Sequence, residues 1–387
     1  MAKESIKSNI WKLNLYQMLG AANLSMPIIV LYFMNNGLSL TQVASFATVM
    51  SILALLLEIP SGSFADKKGR KKSLIIASCF LLINYIFLFF GGNYISFLFA
   101  AGFLGMANAF WSGANSALLY DSLIQLKKEK EFKKIKGNQF ALSVWSFAFA
   151  SLIGGFLGKI NLIFPIAITG ILALFQLFVS FVLTEPKFHK KSFETTNHVF
   201  ESIKFTFKHI EVRNLILYSV IIIGFLDGTF RLFQPYFMSV GIDIKYFGII
   251  YMISLIGTGI VAKYSADIEQ KIGKKLSLVL IAFIFVCGFL LLSFPIGVFI
   301  VIPFLILETL YGFVLPLIED YTNKHIKSEK RATVLSIQNF AQKILIALLI
   351  PVVGFLMDID IPLGFLFIGL FSLIALIYPT YKLIKTY

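Results

Sequence analysis

Apolar runs of about twenty residues follow one another along this chain, parted only by short polar stretches. Such a pattern leaves few folds open. Within lipid every backbone N–H and C=O must find its partner inside the protein, so only helices and closed barrels can span. Runs of this length match helices crossing a hydrocarbon core about 30 Å thick. Twelve segments qualify: residues 10–34, 40–61, 73–90, 95–119, 140–157, 162–183, 214–238, 246–264, 276–294, 297–318, 332–357 and 362–381. Composition agrees, since 58% of residues are hydrophobic and 14% charged, where soluble domains carry about 25% charged residues. A soluble enzyme, a disulfide-built secreted module and a disordered chain are excluded.

The net charge of +14 reads as topology. All but four of the 34 Lys and Arg residues fall on the N-terminus, the C-terminus and alternate loops. The opposite loops hold only Lys159 and Lys245, while Arg231 and Lys343 lie within spans. Basic loops stay on the cytoplasmic side, so both termini are expected there, in a multi-pass protein of a bacterial plasma membrane. No soluble basic face is available for nucleic acid. Cys79 and Cys287 sit in apolar runs and the four histidines lack ligand spacing, so no metal, cofactor or nucleophile–base set is expected. The first span has no cleavage site before it and is expected to be retained. The outer loops are too short for an ectodomain.

The long connection 184–213 carries Val199, Phe200, Ile203, Phe207 and Ile210 at helical spacing among Lys and Glu, which suggests an interfacial helix. It would link an N-terminal six-helix bundle (1–183) to a C-terminal one (214–387). Phe140-Ala141 and Phe340-Ala341 recur 200 residues apart, and Asp66 and Asp267 recur 201 apart. Two agreeing offsets suggest parallel repeats, an arrangement that goes with a transport site near the bilayer midplane.

The segment Gly62-Ser63-Phe64-Ala65-Asp66-Lys67-Lys68-Gly69-Arg70-Lys71 resembles the signature loop of the major facilitator superfamily, between the second and third spans. With twelve spans and a long central loop, the resemblance covers the whole chain. It implies an all-helical membrane fold of two six-helix pseudo-repeats, and a secondary transporter, not an enzyme, whose halves rock around a central site. In this reading Gly62 permits close packing, Gly69 a tight turn, and Asp66 a cap or pair. The second copy keeps Ala266-Asp267, with Gly273-Lys274-Lys275 three residues late. In the family this loop latches the cytoplasmic side; Asp121 looks like the acidic partner of Arg70, or is a simple helix-end carboxylate, and Glu58, close to the inner surface, is expected at the same gate. Ala101 stands before Gly105 where proton-coupled members often carry Arg, and Ala150-Ser151 stand before Gly154-Gly155 where many exporters carry Gly-Pro. Proton coupling through that arginine is therefore excluded.

Ionisable groups in hydrocarbon cost about 2.5–3.5 kcal/mol each on insertion scales, and so mark functional candidates. Asp227 and Arg231 are four apart on the seventh span and share a helical face with Gln234, forming either a structural bridge or a substrate site. Glu308 lies mid-span with Tyr311 on its face and no base within a turn. Desolvation disfavours its charged form, so it is the expected proton site. Asn23 in the first span and Asn108, Trp111 and Asn115 in the fourth would face the bundle interior. A monomer exporting amphiphilic or cationic small organic compounds by proton exchange is the expectation. Uptake of a nutrient or an anionic metabolite at Arg231 is the alternative, and a non-transporting sensor a remote one.

Overall fold

The computed structural model describes residues 2–186, 209–325 and 328–386. The expected interfacial helix lies, apart from its last residues, outside the described residues. The chain begins with α1 (Ala2–Ala21) and the short α2 (Ile29–Asn35), then α3 (Leu40–Lys68), α4 (Arg70–Phe90), α5 (Tyr94–Gln125), α6 (Phe132–Ile160) and α7 (Ile163–Val182). After the linker come α8 (Ile210–Thr229), the short α9 (Phe233–Ser239), α10 (Ile244–Ile272), α11 (Lys274–Leu291), α12 (Val301–His325), α13 (Ser328–Ile359) and α14 (Ile361–Thr386).

Ten helices among the described residues are long and apolar enough to cross a membrane, and α8 with α9 makes an eleventh. The remaining expected span, 10–34, is divided between α1 and α2. Lys3, Glu4, Lys7 and Lys12 make the start of α1 polar, and helix is lost at Ala22-Asn23, just before Pro27. Proline has no N–H to continue a helical ladder. The seventh span is broken at residues 230–232, where α8 and α9 meet at a bend of 52°. The straight face expected for Asp227, Arg231 and Gln234 is thus interrupted: Arg231 sits in the break and Gln234 on the helix beyond it.

Two compact units form. The first comprises Met1–Leu38, Val49–Lys191 and Asp243–Met252, and the second Ser39–Thr48, Ser192–Ile242 and Ile253–Tyr387. In the first, Leu13, Tyr16, Leu74, Leu118 and Leu183 make a buried core. In the second, the rings of Phe233, Phe237, Phe304 and Phe365 pack within 5.2 Å centroid distances along the chain of contacts that links them. The start of α3 is tied into the second unit by Asp358, which accepts hydrogen bonds from Leu40 N (2.6 Å), Thr41 N (2.9 Å) and the Thr41 hydroxyl (2.5 Å). A carboxylate here satisfies orphan N–H donors at the positive end of the α3 dipole. In the first unit Lys159 pairs with Asp243 just ahead of α10, at 2.9 Å.

The repeat is visible in individual bonds. Tyr32 donates its hydroxyl hydrogen to Leu88 O (2.7 Å), and Tyr236 to Leu292 O (2.9 Å), both partners 204 residues later. Gly37 and Gly241, with φ of +80° and +84°, keep that spacing, as do Gly69 and Gly273, at +117° and +83°. Gly273 is therefore the true counterpart of Gly69 and is not late. It is Asp267 that is out of register, because Gln270 stands 204 residues after Asp66. The 201-residue match of the two aspartates does not mark the structural repeat.

Candidate functional site

The second unit gathers several of the singled-out polar groups. Gln342 on α13 donates to Asp227 Oδ2 at 2.6 Å, and the Tyr311 hydroxyl hydrogen-bonds to the same carboxylate. Arg231 acts electrostatically on Asp227, and Asp227 in turn on Glu308. Small residues bring the backbones together. At Gly224 an added Cβ would stand 3.0 Å from Leu345, and at Gly228 2.4 Å from Ile350, so α8 lies close against α13. Asp227 is deeply placed yet keeps an accessible face, while Glu308 is 8% exposed.

Glu308 Oε1 is buried and has no hydrogen-bond partner among the described residues, and the same holds for Gln338 Oε1 one turn before Gln342. A buried acceptor left unpaired costs about 1–3 kcal/mol, and more for a charged group. Its backbone is nevertheless held firmly. The Thr258 hydroxyl on α10 shares its hydrogen between Ser254 O and Glu308 O, each at 2.8 Å, and an added Cβ at Gly312 would meet Thr258 O at 2.2 Å. Glu308 thus sits on a turn tied to α10 with one carboxyl oxygen unpaired among the described residues, an arrangement suited to taking up a proton or ligating a cation.

In the first unit Asn115 donates to Gln17 Oε1 at 3.1 Å, and its own Oδ1 is buried without a partner among the described residues. Trp111 packs on the core around Leu13 and Tyr16. Asn23, in the break after α1, accepts from the Ser25 hydroxyl at 2.7 Å. Glu58 lies half-buried in α3, with its carbonyl accepting from Ser61.

In the signature segment α3 continues to Lys68, so the loop shrinks to Gly69. Gly62 falls inside this helix with open space where a Cβ would go, so the close approach expected there is absent among the described residues. Arg70 pairs with Asp66 and lies 3.6 Å from Asp121 through Nε. Glu185, not singled out from sequence, accepts from Arg70 N and Lys71 N, each at 2.8 Å, and caps α4. The φ of +117° at Gly69 favours glycine, and a Cβ there would stand 2.7 Å from Glu185 Oε2, so any larger residue would also displace the capping carboxylate. Asn9 fastens the segment beside it, bonding Thr184 O (2.7 Å) and Thr184 N (2.9 Å). Burial pushes the Glu185 carboxyl above its ordinary range, against the opposing pull of the two amides. Replacing Glu185 by Ala should cost about 0.5–2 kcal/mol, the range for a lost helix cap, as a lower melting temperature, and should speed amide exchange at the start of α4. Unchanged exchange at Arg70 and Lys71 would refute the cap.

The only sequence clue to Gln342 was a glutamine inside an apolar span, in phase with Gln338. Glu185 offered no more than an acid directly after a span.

These features coincide with a match of residues 14–351 to the Major Facilitator Superfamily model, and the chain belongs to that family of membrane transporters. It is 23% identical over 343 residues to the uncharacterized MFS-type transporter YxaM of Bacillus subtilis (strain 168), covering 81% of this chain and 80% of that one. Among solved structures, a point mutant of the nucleoside transporter NupG superposes with a TM-score of 0.80 at 14% identity, covering 98% of this chain and 99% of its own. A bacterial homolog of the human lysosomal transporter Spinster gives 0.74 at 14% identity, covering 100% and 98%. A point mutant of the peptide transporter POT gives 0.72 at 11%, covering 98% of each chain. At these identities the likeness is one of fold. As a family member the chain is a secondary transporter and not an enzyme.

Proposed function

We propose that this transporter exports amphiphilic or cationic small organic compounds in exchange for protons across a bacterial plasma membrane, as a monomer with both termini in the cytoplasm. Glu308 is the proton carrier, and Asp227, Tyr311, Gln342 and Arg231 bind solute, with Gln234, Asn23, Asn115 and Trp111 shaping the path. The bundles 1–183 and 214–387 are the moving halves, joined by the 184–213 linker. The signature residues Gly62, Asp66, Gly69 and Arg70, with Asp121 and Glu58, form the cytoplasmic gate.

The observation that most supports this reading is the buried Glu308 oxygen without a partner among the described residues, beside a second carboxylate. Two acids against one guanidinium leave a site that favours a proton or an organic cation over an anion. The nucleoside and peptide transporters among the structural relatives carry solutes of other kinds, and their distance leaves the choice to the residues of this chain.

Inverted membrane vesicles containing the protein, acidified inside, should accumulate a lipophilic cationic dye, and collapse of the gradient by a protonophore should release it. No gradient-dependent accumulation of any member of a panel of such dyes would sink the export reading. Gradient-driven uptake of carboxylate solutes, lost in Arg231→Gln, would put anionic metabolite transport in its place.

A further inference from the structure

A cavity lies in the second unit, along the helix that also carries Glu308. It is a groove of about 470 Å³ bounded by α10, α11 and α12, with Ile268, Ile272, Leu280, Ile284 and Ile306 on its walls and Thr309 as its one polar lining side chain. Its lining on α12 extends from Ile302 to Leu310 and Phe313, about 16 Å at 1.5 Å per residue. All three helices are long and apolar enough to cross a membrane. So apolar a lining suits hydrocarbon, and an extended acyl chain matches its length.

One end of the groove is basic. Ile272 is the last residue of α10, and Lys271, Lys274 and Lys275 surround the turn that leads into α11. Lys271 and Lys275 are exposed, and Lys274 lies over the Tyr321 ring. The residue capping α11 is Gly273, which makes no side-chain cap of its own. The matching helix end 204 residues earlier shows what this geometry accepts: there the N–H groups of Arg70 and Lys71 hold the carboxylate of Glu185. The acids at this end are otherwise engaged or outside the groove lining. Asp320 pairs with Lys324 at 2.5 Å, Glu269 accepts from the Tyr321 hydroxyl at 2.8 Å, and Asp267 on α10 and Glu319 on α12 are exposed away from the lining.

We propose that this groove binds an anionic phospholipid, with one acyl chain laid between α10, α11 and α12 and the phosphate at Lys274 and Lys275 beside the start of α11. The bound lipid would press on the helix that carries Glu308, since Thr309 is a groove residue and also faces Gly257 of α10 at 3.0 Å from an added Cβ. Basic residues near a membrane surface attract anionic headgroups, and the chain slot adds the apolar half of the recognition. Nothing in this site depends on which solute is transported.

The test is lipid binding to the purified full chain in detergent, read by native mass spectrometry and by melting temperature. Phosphatidylglycerol should bind at least about tenfold more tightly than phosphatidylcholine with the same acyl chains, a preference that attraction to two or three lysines supports. The double substitution Lys274→Gln with Lys275→Gln should erase that preference while chain binding continues. Ile306→Trp, which fills the groove from a position that is 46% exposed, should remove the bound lipid with the protein still folded. Equal binding of both lipids, or phosphatidylglycerol binding untouched by Ile306→Trp, would overturn the proposal. Inorganic phosphate competing as well as the lipid would assign the lysines to a soluble anion and overturn it too.

Discussion

In the Glu308→Gln protein, solute should still exchange across the membrane but should no longer accumulate against a gradient. Glutamine keeps the size and the neutral hydrogen-bonding character of a protonated glutamate and cannot release a proton. The turn that carries it is held by the Thr258 hydroxyl on Glu308 O and by the contact at Gly312, neither of which involves the carboxyl. Folding should therefore survive, and the melting temperature should stay close to that of the unmodified protein, because the amide matches the protonated carboxyl in size and in being neutral. With one proton exchanged per solute, one pH unit sustains about tenfold accumulation, the equivalent of about 1.36 kcal/mol. The variant should sustain none, while counterflow of labelled against unlabelled solute continues. Accumulation that persists in Glu308→Gln would move the proton to Asp227, whose accessible carboxylate is bound by Gln342 and Tyr311. Loss of counterflow as well would show that Glu308 binds solute directly.

The substitution Gly312→Val should be the most damaging single change near the site. Even a methyl group would stand 2.2 Å from Thr258 O, and the obstruction is backbone, which cannot rotate aside. Helix α12 would have to move off α10, breaking the Thr258 to Glu308 bond of 2.8 Å. Overpacking of this kind costs about 1–3 kcal/mol, and membrane helices that approach through glycine have no hydrophobic gain to offset the separation. Both the melting temperature and the transport rate should drop. Gly259→Ala on α10 is the matched control, since an added Cβ there meets nothing within 4 Å. If Gly312→Val transports at the normal rate, the tie between the Glu308 turn and α10 is irrelevant to the cycle.

The glycines separate what could be read along the chain from what could not. Gly69 was legible because its neighbours Asp66, Arg70 and Lys71 form a linear pattern, and its φ of +117° is a local property. Gly312 carried no such pattern. Its importance comes from Thr258, which lies on another helix, and Gly62 showed the converse: a motif glycine with open space around it. Glu308 stood out because charge inside an apolar run is costly wherever the partner helices lie. Its unpaired oxygen and its mounting were invisible until α10 and α12 were packed.

What the sequence determined by itself is whatever the bilayer demands of each segment separately. The apolar windows, the lysine asymmetry and the buried acids follow from transfer energies of single residues and single helices. The tertiary structure decided what depends on pairs of segments: Glu185 on the end of α4, Gln342 on Asp227, and the true 204-residue register of the repeat. It also decided where the first and seventh spans break. Helix contacts in a membrane rest on close backbone approach and a few hydrogen bonds, with no added hydrophobic drive between helices. A glycine or glutamine that makes such a contact looks the same in sequence as one that faces lipid, and only its neighbour across the gap distinguishes them.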